Sequence, residues 1–109
     1  MIKIDFKKAN GLVPAVIQDF ETAKVLMLGY MNAEAFEKTK ATSDVYFFSR
    51  SRKKLWLKGE VSGNRLKVIE ILGDCDGDAL LIKVKLIGSA VCHTGKRTCF
   101  FNKIEERKL

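Results

Sequence analysis

Short apolar runs broken by polar turns recur along this chain, and they predict strands. VPAVIQD (13–19) and KVLMLGY (24–30) are two such runs around a polar stretch from Asp19 to Ala23, the pattern of paired strands joined by a turn. Asn32 is a suitable N-cap for AEAFEKTKA, the one segment of helical character, which should end before Thr42-Ser43-Asp44. VYFFS (45–49) is β-branched and aromatic, SRSRKK makes a polar turn, and LWLKGEV (55–61) continues as a further strand. Ser62-Gly63-Asn64 is a turn signal, after which RLKVIEIL (65–72) returns to strand character. ALLIKVKLIG (79–88) puts Leu80, Ile82, Val84 and Leu86 on one face, with Leu81, Lys83 and Lys85 on the other. TCFFNKI (98–104) is a last short strand candidate. The expectation is a mainly β (α+β) fold, a mixed twisted sheet or pseudo-barrel with one short helix, in a single domain spanning 1–109.

Composition narrows this picture without redrawing it. With 109 residues, 47% hydrophobic and 30% charged, and a single proline, the chain can bury one core and does not read as disordered. No repeat or linker-like stretch marks a domain boundary. MIKIDFKKANGL lacks the apolar run of a signal peptide, and VLMLGYM (25–31) is too short to span a bilayer. Three cysteines cannot all pair with one another, so a disulfide framework is not expected; free thiols fit a reducing cytoplasm. The formal charge of +7 favours an anionic partner. Much of that charge lies in one region, at Arg50, Arg52, Lys53, Lys54, Lys58, Arg65 and Lys67.

The candidate chemistry is concentrated in GDCDGDALL and VCHTGKRTC. Cys75, Cys92 and Cys99 all fall at strand ends or in loops, flanked by Asp, His, Thr and Gly, where a merely structural cysteine would sit mid-element. Three thiolates suit zinc and leave a fourth position open for water. Cys75 and Cys92 bracket the strand at 79–87, and nine residues at roughly 3.3 Å each span about 30 Å. A straight strand would therefore keep them apart in one chain, whereas two chains about a twofold axis could bring Cys75 of one to Cys92 and Cys99 of the other. Asp74, Asp76 and Asp78 alternate, so on an extended segment they converge on a hard cation such as Mg²⁺. An EF-hand loop does not fit, since Ala79 and Lys85 stand where it needs glycine and glutamate. His93, the one histidine, directly follows Cys92 and is either a fourth zinc ligand or a general acid or base.

Taken together, GLVPAVIQD, VLMLGYMN, SRSRKKLWLKGEVSGN, DCDGDALL and VCHTGKRTCF resemble, in order and spacing, the phosphoribosyl-AMP cyclohydrolases of histidine biosynthesis. The resemblance runs from about Gly11 to Phe100. It implies a zinc shared across a homodimer interface by Cys75, Cys92 and Cys99, magnesium at Asp74, Asp76 and Asp78, and catalysis by His93. It further implies a substrate site shaped by Ser49, Arg50, Ser51, Arg52, Trp56, Lys58, Glu60, Ser62, Gly63 and Asn64, and an intertwined homodimer. The departures are Val91 for the usual alanine, Thr98 for serine and Gly29 for a frequent alanine; none removes a ligand. Leu109 follows Phe100 by nine residues, so only the cyclohydrolase step is expected, without the fused pyrophosphohydrolase domain of some relatives.

The implied reaction suits the residues. Alkylation at N1 makes adenine cationic and its C6 electrophilic, and zinc can draw a nucleophile from water near neutral pH. A small substrate with two 5′-phosphates gives the basic segment a purpose, through forked contacts from Arg50 and Arg52. Membrane and nucleic-acid partners are not expected. The rival from another class is a zinc-stabilised nucleic-acid-binding β domain, with Phe47, Phe48 and Trp56 stacking on bases. Against it, Val45 to Phe48 also reads as core, and the acidic triplet would repel a phosphate backbone. A metal-storage module is weaker still, with three thiols per chain.

Overall fold

The computed structural model describes residues 2–8 and 10–108. Seven elements follow in order: β1 (Val13–Asp19), β2 (Val25–Met31), α1 (Ala33–Thr42), β3 (Tyr46–Ser49), β4 (Lys54–Leu57), β5 (Arg65–Gly73) and β6 (Leu80–Ile87). The large sheet runs β2-β1-β6-β5, and β3-β4 forms a separate two-stranded sheet. β1 and β6 are parallel, while β1–β2 and β5–β6 are antiparallel, so the sheet is mixed as expected. It is open, with β2 and β5 at its edges, which corrects the pseudo-barrel alternative. The helix is capped as its sequence predicts: the Asn32 side chain accepts from the Ala35 N–H at 2.8 Å, and Ser43 closes it in the left-handed region. Among the described residues, no helix is long and apolar enough to cross a membrane.

Period-two alternation decides which face is buried. Val13, Ala15 and Ile17 of β1 point into the core beside Leu80, Ile82 and Val84 of β6, and Phe47 of β3 joins them. Each large apolar side chain removed from water there contributes about 1.5–3 kcal/mol. Phe47 lies against Gly29, where an added Cβ would come within 2.5 Å of its ring, and its other side meets Trp56 at a centroid distance of 5.2 Å. Phe47 is thus a core residue and not a base-stacking platform, unlike the part-buried Phe48 and Trp56. Two bulges interrupt the ladders. On β2, Ile17 and Gln18 pair with Met27 and Val25, leaving Leu26 as the extra residue.

Two strand expectations need correction. LWLKGEV does not remain extended to Val61. After Leu57 the chain turns, with the Glu60 N–H donating to the Leu57 carbonyl and the Gly63 N–H to that of Gly59. Gly59 requires this, because its φ of +88° is left-handed and a Cβ there would run into the Asn64 carbonyl. TCFFNKI forms no strand. Its first residues are tied to β2 by isolated bonds, the Cys99 N–H to the Leu26 carbonyl at 2.7 Å and the Thr98 hydroxyl to the Val25 carbonyl at 2.9 Å, without a continuing ladder.

Candidate active site and metal centres

The loops at the two ends of β6 carry the chemistry. After β6, the chain from Ala90 folds tightly: the Val91 and Cys92 N–H groups both donate to the Lys96 carbonyl, and the Gly95 N–H to that of Cys92. This turn, together with the anchoring of Thr98 and Cys99 on β2, brings two thiols side by side. The Thr94 hydroxyl donates to Cys92 Sγ at 3.2 Å and, as the largest influence, draws the Cys92 thiol below its ordinary range. Burial pushes the Cys99 thiol up, with the charge of Cys92 beside it acting in the same direction. His93 Nδ1 stands 3.9 Å from Cys92 Sγ. The Lys58 ammonium, held by the Val91 carbonyl at 2.5 Å, faces both thiols and favours their ionised forms.

Of these groups, Cys92, His93 and Lys58 border a cavity of about 700 Å³, in the size range of small-molecule sites. Its lining combines Cys92, His93 and Gly95 with Ser49, Arg52, Lys54, Trp56, Lys58, Glu60, Ser62 and Asn64, over an apolar base that includes Leu57, Ala90 and Val91. Most of the expected substrate residues are therefore brought together with three residues of the CHTG motif, which begins 28 or more positions further along the chain. Three are not. Arg50 and Ser51 border a neighbouring cleft of about 590 Å³, where the Arg50 guanidinium lies 4.0 Å over the Tyr30 ring. Gly63 lies at the exposed tip of its turn and lines neither cavity. Ser49 and Trp56 border both, so the β3–β4 hairpin divides them.

The acidic loop before β6 is built differently. Ligand oxygens of Asp74, Asp76 and Asp78 lie within 4.8 Å of one another, the one such cluster of three among the described residues. A turn brings them together, not strand alternation: the Gly77 N–H donates to the Asp74 carbonyl, and the Asp78 N–H to Asp74 Oδ1 at 3.0 Å. Cys75 is likewise not segregated from the carboxylates, its Sγ lying 3.9 Å from Asp76 Oδ1. The Lys8 ammonium reaches into the cluster, 2.7 Å from Asp76 Oδ2 and 3.5 Å from Asp78 Oδ2. It is the main reason the Asp76 carboxyl is held down at about 2, while the neighbouring carboxylates of Asp74 and Asp76 push Asp78 up. An oxygen-only cluster that already draws in a cation fits a hard ion. The two adjacent thiols fit a soft one but form an incomplete set, because Cys75 belongs to the other loop and the three thiols do not cluster in one chain.

With this geometry established, comparison with known proteins places the chain. The family model described as phosphoribosyl-AMP cyclohydrolase matches residues 27–101, a span that takes in both loops and all of the residues bordering the two clefts. The chain belongs to the phosphoribosyl-AMP cyclohydrolase family. That family is one of hydrolytic enzymes. A phosphoribosyl-AMP cyclohydrolase of Solibacter usitatus is 58% identical over 95% of this chain and 82% of its own length. Another, of Desulfatibacillum aliphaticivorans, is 54% identical over 100% of this chain and 87% of its own. A histidine biosynthesis bifunctional protein of Bacteroides thetaiotaomicron is 58% identical over 96% of this chain, which spans 51% of that relative.

Several residues in and around the candidate site escape a reading of the sequence. Lys8 lies 68 positions from its acidic partner, and no local pattern links the two. Arg97 reaches 78 positions back to Asp19. Thr94 was legible in principle, since a hydroxyl two residues beyond a cysteine can turn back onto its sulfur.

Proposed function

We propose that this chain catalyses hydrolytic opening of the adenine ring of N1-(5-phosphoribosyl)-AMP between N1 and C6, a cytoplasmic step of histidine biosynthesis. The product is the phosphoribosyl-formimino-aminoimidazole carboxamide ribotide. The observation that carries this reading is the one cavity lined both by Cys92 and His93 and by the basic and aromatic side chains of Trp56, Arg52 and Lys54. Its size and mixed lining suit a purine carrying charged arms.

Cys92 and Cys99 would hold zinc together with Cys75 of the partner subunit, in a homodimer with two equivalent sites. The separation of Cys75 from the other two thiols supports that arrangement, as does the outer face of the sheet. There Leu28, Val16, Leu81 and Leu72 lie in register across all four strands as an apolar row open to a second copy. A zinc held by those thiolates would lower the pKa of water and so make a nucleophile available for C6 near neutral pH. Trp56 offers a face for the adenine ring, while Arg52 and Lys54 direct charge to a 5′-phosphate. His93, exposed beside Cys92, moves the proton to N1 as the N1–C6 bond breaks. Asp74, Asp76 and Asp78 would hold magnesium, which orders the loop bearing Cys75 or offsets a substrate phosphate.

The test is the absorbance change of ring opening, followed with and without chelator alongside zinc content per chain. Turnover should require about one zinc per chain, and His93→Ala should lose turnover while keeping it. Ring opening by metal-free protein would overturn the zinc reading, and zinc loss in His93→Ala would make that residue a ligand. Tight single-stranded RNA binding with a steep salt slope, and no ring opening, would return the function to the nucleic-acid class.

A further inference from the structure

The thiol loop is tied to the sheet by contacts that the reaction itself does not use. Asp19 ends β1 with its side chain only 6% exposed, and Arg97 Nη2 donates to its Oδ2 at 3.1 Å. Asp19 Oδ1 accepts the Glu21 N–H at 2.9 Å, so the carboxylate is fixed by its own turn before it meets the arginine. That turn is held in its own right: the Ala23 N–H donates to the Asp19 carbonyl, and the Phe20 N–H to that of Val84 on β6.

Arg97 lies between Cys92 and Cys99, and the residues after it are held from a second direction. The β2 bulge leaves the Leu26 carbonyl free to accept the Cys99 N–H at 2.7 Å and the Thr98 hydroxyl at 3.3 Å. Thr98 is buried, and its Oγ1 also accepts the Phe100 N–H at 3.1 Å. Cys99 is thus located by the bulge, and the segment leading to it by the Asp19–Arg97 pair. Cys92 depends on the Lys96 carbonyl next to Arg97, which accepts its N–H at 3.0 Å. Both thiols are therefore referred to one rigid corner, where β1 passes into β2.

From this geometry we infer that Asp19 and Arg97 are positioning residues of the thiol centre, an ion pair that sets the separation and aim of Cys92 and Cys99 and so governs their metal affinity. The inference rests on the zinc reading above. A soft-metal site with two ligands on one short loop is sensitive to such support, because each ångström of slack in the loop is lost as ordering entropy when metal binds.

The test uses the full chain loaded with Co²⁺ for spectroscopy and with Zn²⁺ for chelator competition. Asp19→Asn and Arg97→Met should each weaken zinc about ten- to a hundredfold and shift the thiolate-to-cobalt absorption bands. Arg97→Lys, which keeps the charge, should recover part of both. Val13→Ala, at the opposite end of β1, is the control for a purely structural effect: at an equal loss of thermal midpoint it should keep wild-type affinity and bands. Arg97 is half-exposed, so its variants still report if Asp19→Asn does not fold. Wild-type affinity and bands in the Arg97→Met protein would overturn the inference, as would an equal loss in Val13→Ala. If the unaltered chain takes up cobalt without a thiolate band, the zinc reading fails and this inference with it. A normal band in the wild type with an unchanged Arg97→Met protein removes the positioning role alone.

Discussion

The two loops flanking β6 hold their ligand groups by opposite means. Before the strand, three carboxylates lie within five positions and converge through one tight turn, so the acidic cluster is nearly complete in a local peptide. After the strand, Cys92 and Cys99 meet only because Thr98, Cys99 and Arg97 are anchored to β1 and β2, and their set is still short of a third thiol. Local turns place ligands at little cost in ordering distant chain, and here only the N-terminal segment, through Lys8, reaches into the cluster from afar. A tertiary site costs more to assemble, and in return sits against the cavity formed by β3, β4 and the following turn.

The sharpest way to break this comparison is complementation. Cys75→Ala and Cys92→Ala should each abolish ring opening, and equal mixing with subunit exchange should restore about a quarter of the wild-type rate, half the dimers having one intact site of two. Exchange demonstrated without recovery would show that a single chain completes its own thiol set. A second variant separates the sheet from both loops. Gly29→Ala forces a Cβ against the Phe47 ring and should cost about 1–3 kcal/mol in urea unfolding, while leaving metal affinity at both loops unchanged. Altered metal binding in that variant would mean that the sheet wall and the sites are not independent.

Acid should weaken the anchored loop in particular. The Glu21 N–H, followed by Arg97, holds the Asp19 carboxyl below its ordinary range. A depressed folded value means stability that is present in full above an unfolded pKa of about 3.9 and lost as pH falls through the folded one. Urea midpoints measured from pH 5 down to pH 3 should fall, and Asp19→Asn should flatten that fall. An unchanged slope would show that the pair does not bear on folding. The smallest effect is expected at the acidic loop. There, Lys8→Ala removes a tethered cation and should tighten Mn²⁺ binding, read by electron paramagnetic resonance, about two- to fivefold without moving the thermal midpoint. Weaker binding would show that Lys8 organises the cluster instead of competing for it.

Much of the fold was legible because strand burial repeats every two residues. β1, β5 and β6 fall within a residue or so of their expected bounds, and the inward set of Leu80, Ile82, Val84 and Leu86 is the more buried one. The misreadings occurred where another rule overrode composition. Gly59 ended β4 early by its left-handed backbone, and TCFFNKI, aromatic enough for a strand, found only isolated acceptors on β2. The carboxylate cluster was anticipated for the wrong reason, since a turn and not alternation gathers it.

What the sequence determined by itself is most of the elements, the family and the residue types gathered at each loop, since residue type and short-range spacing carry all three. Only the tertiary structure decided which of those groups meet. It put His93 and Cys92 into the same cavity as Trp56, Arg52 and Lys58, moved Arg50 and Ser51 to the far side of the hairpin, and set Arg97 on Asp19 and Lys8 on Asp76. Such pairings depend on strand order and on a single bulge, and neither leaves a periodic trace in the chain.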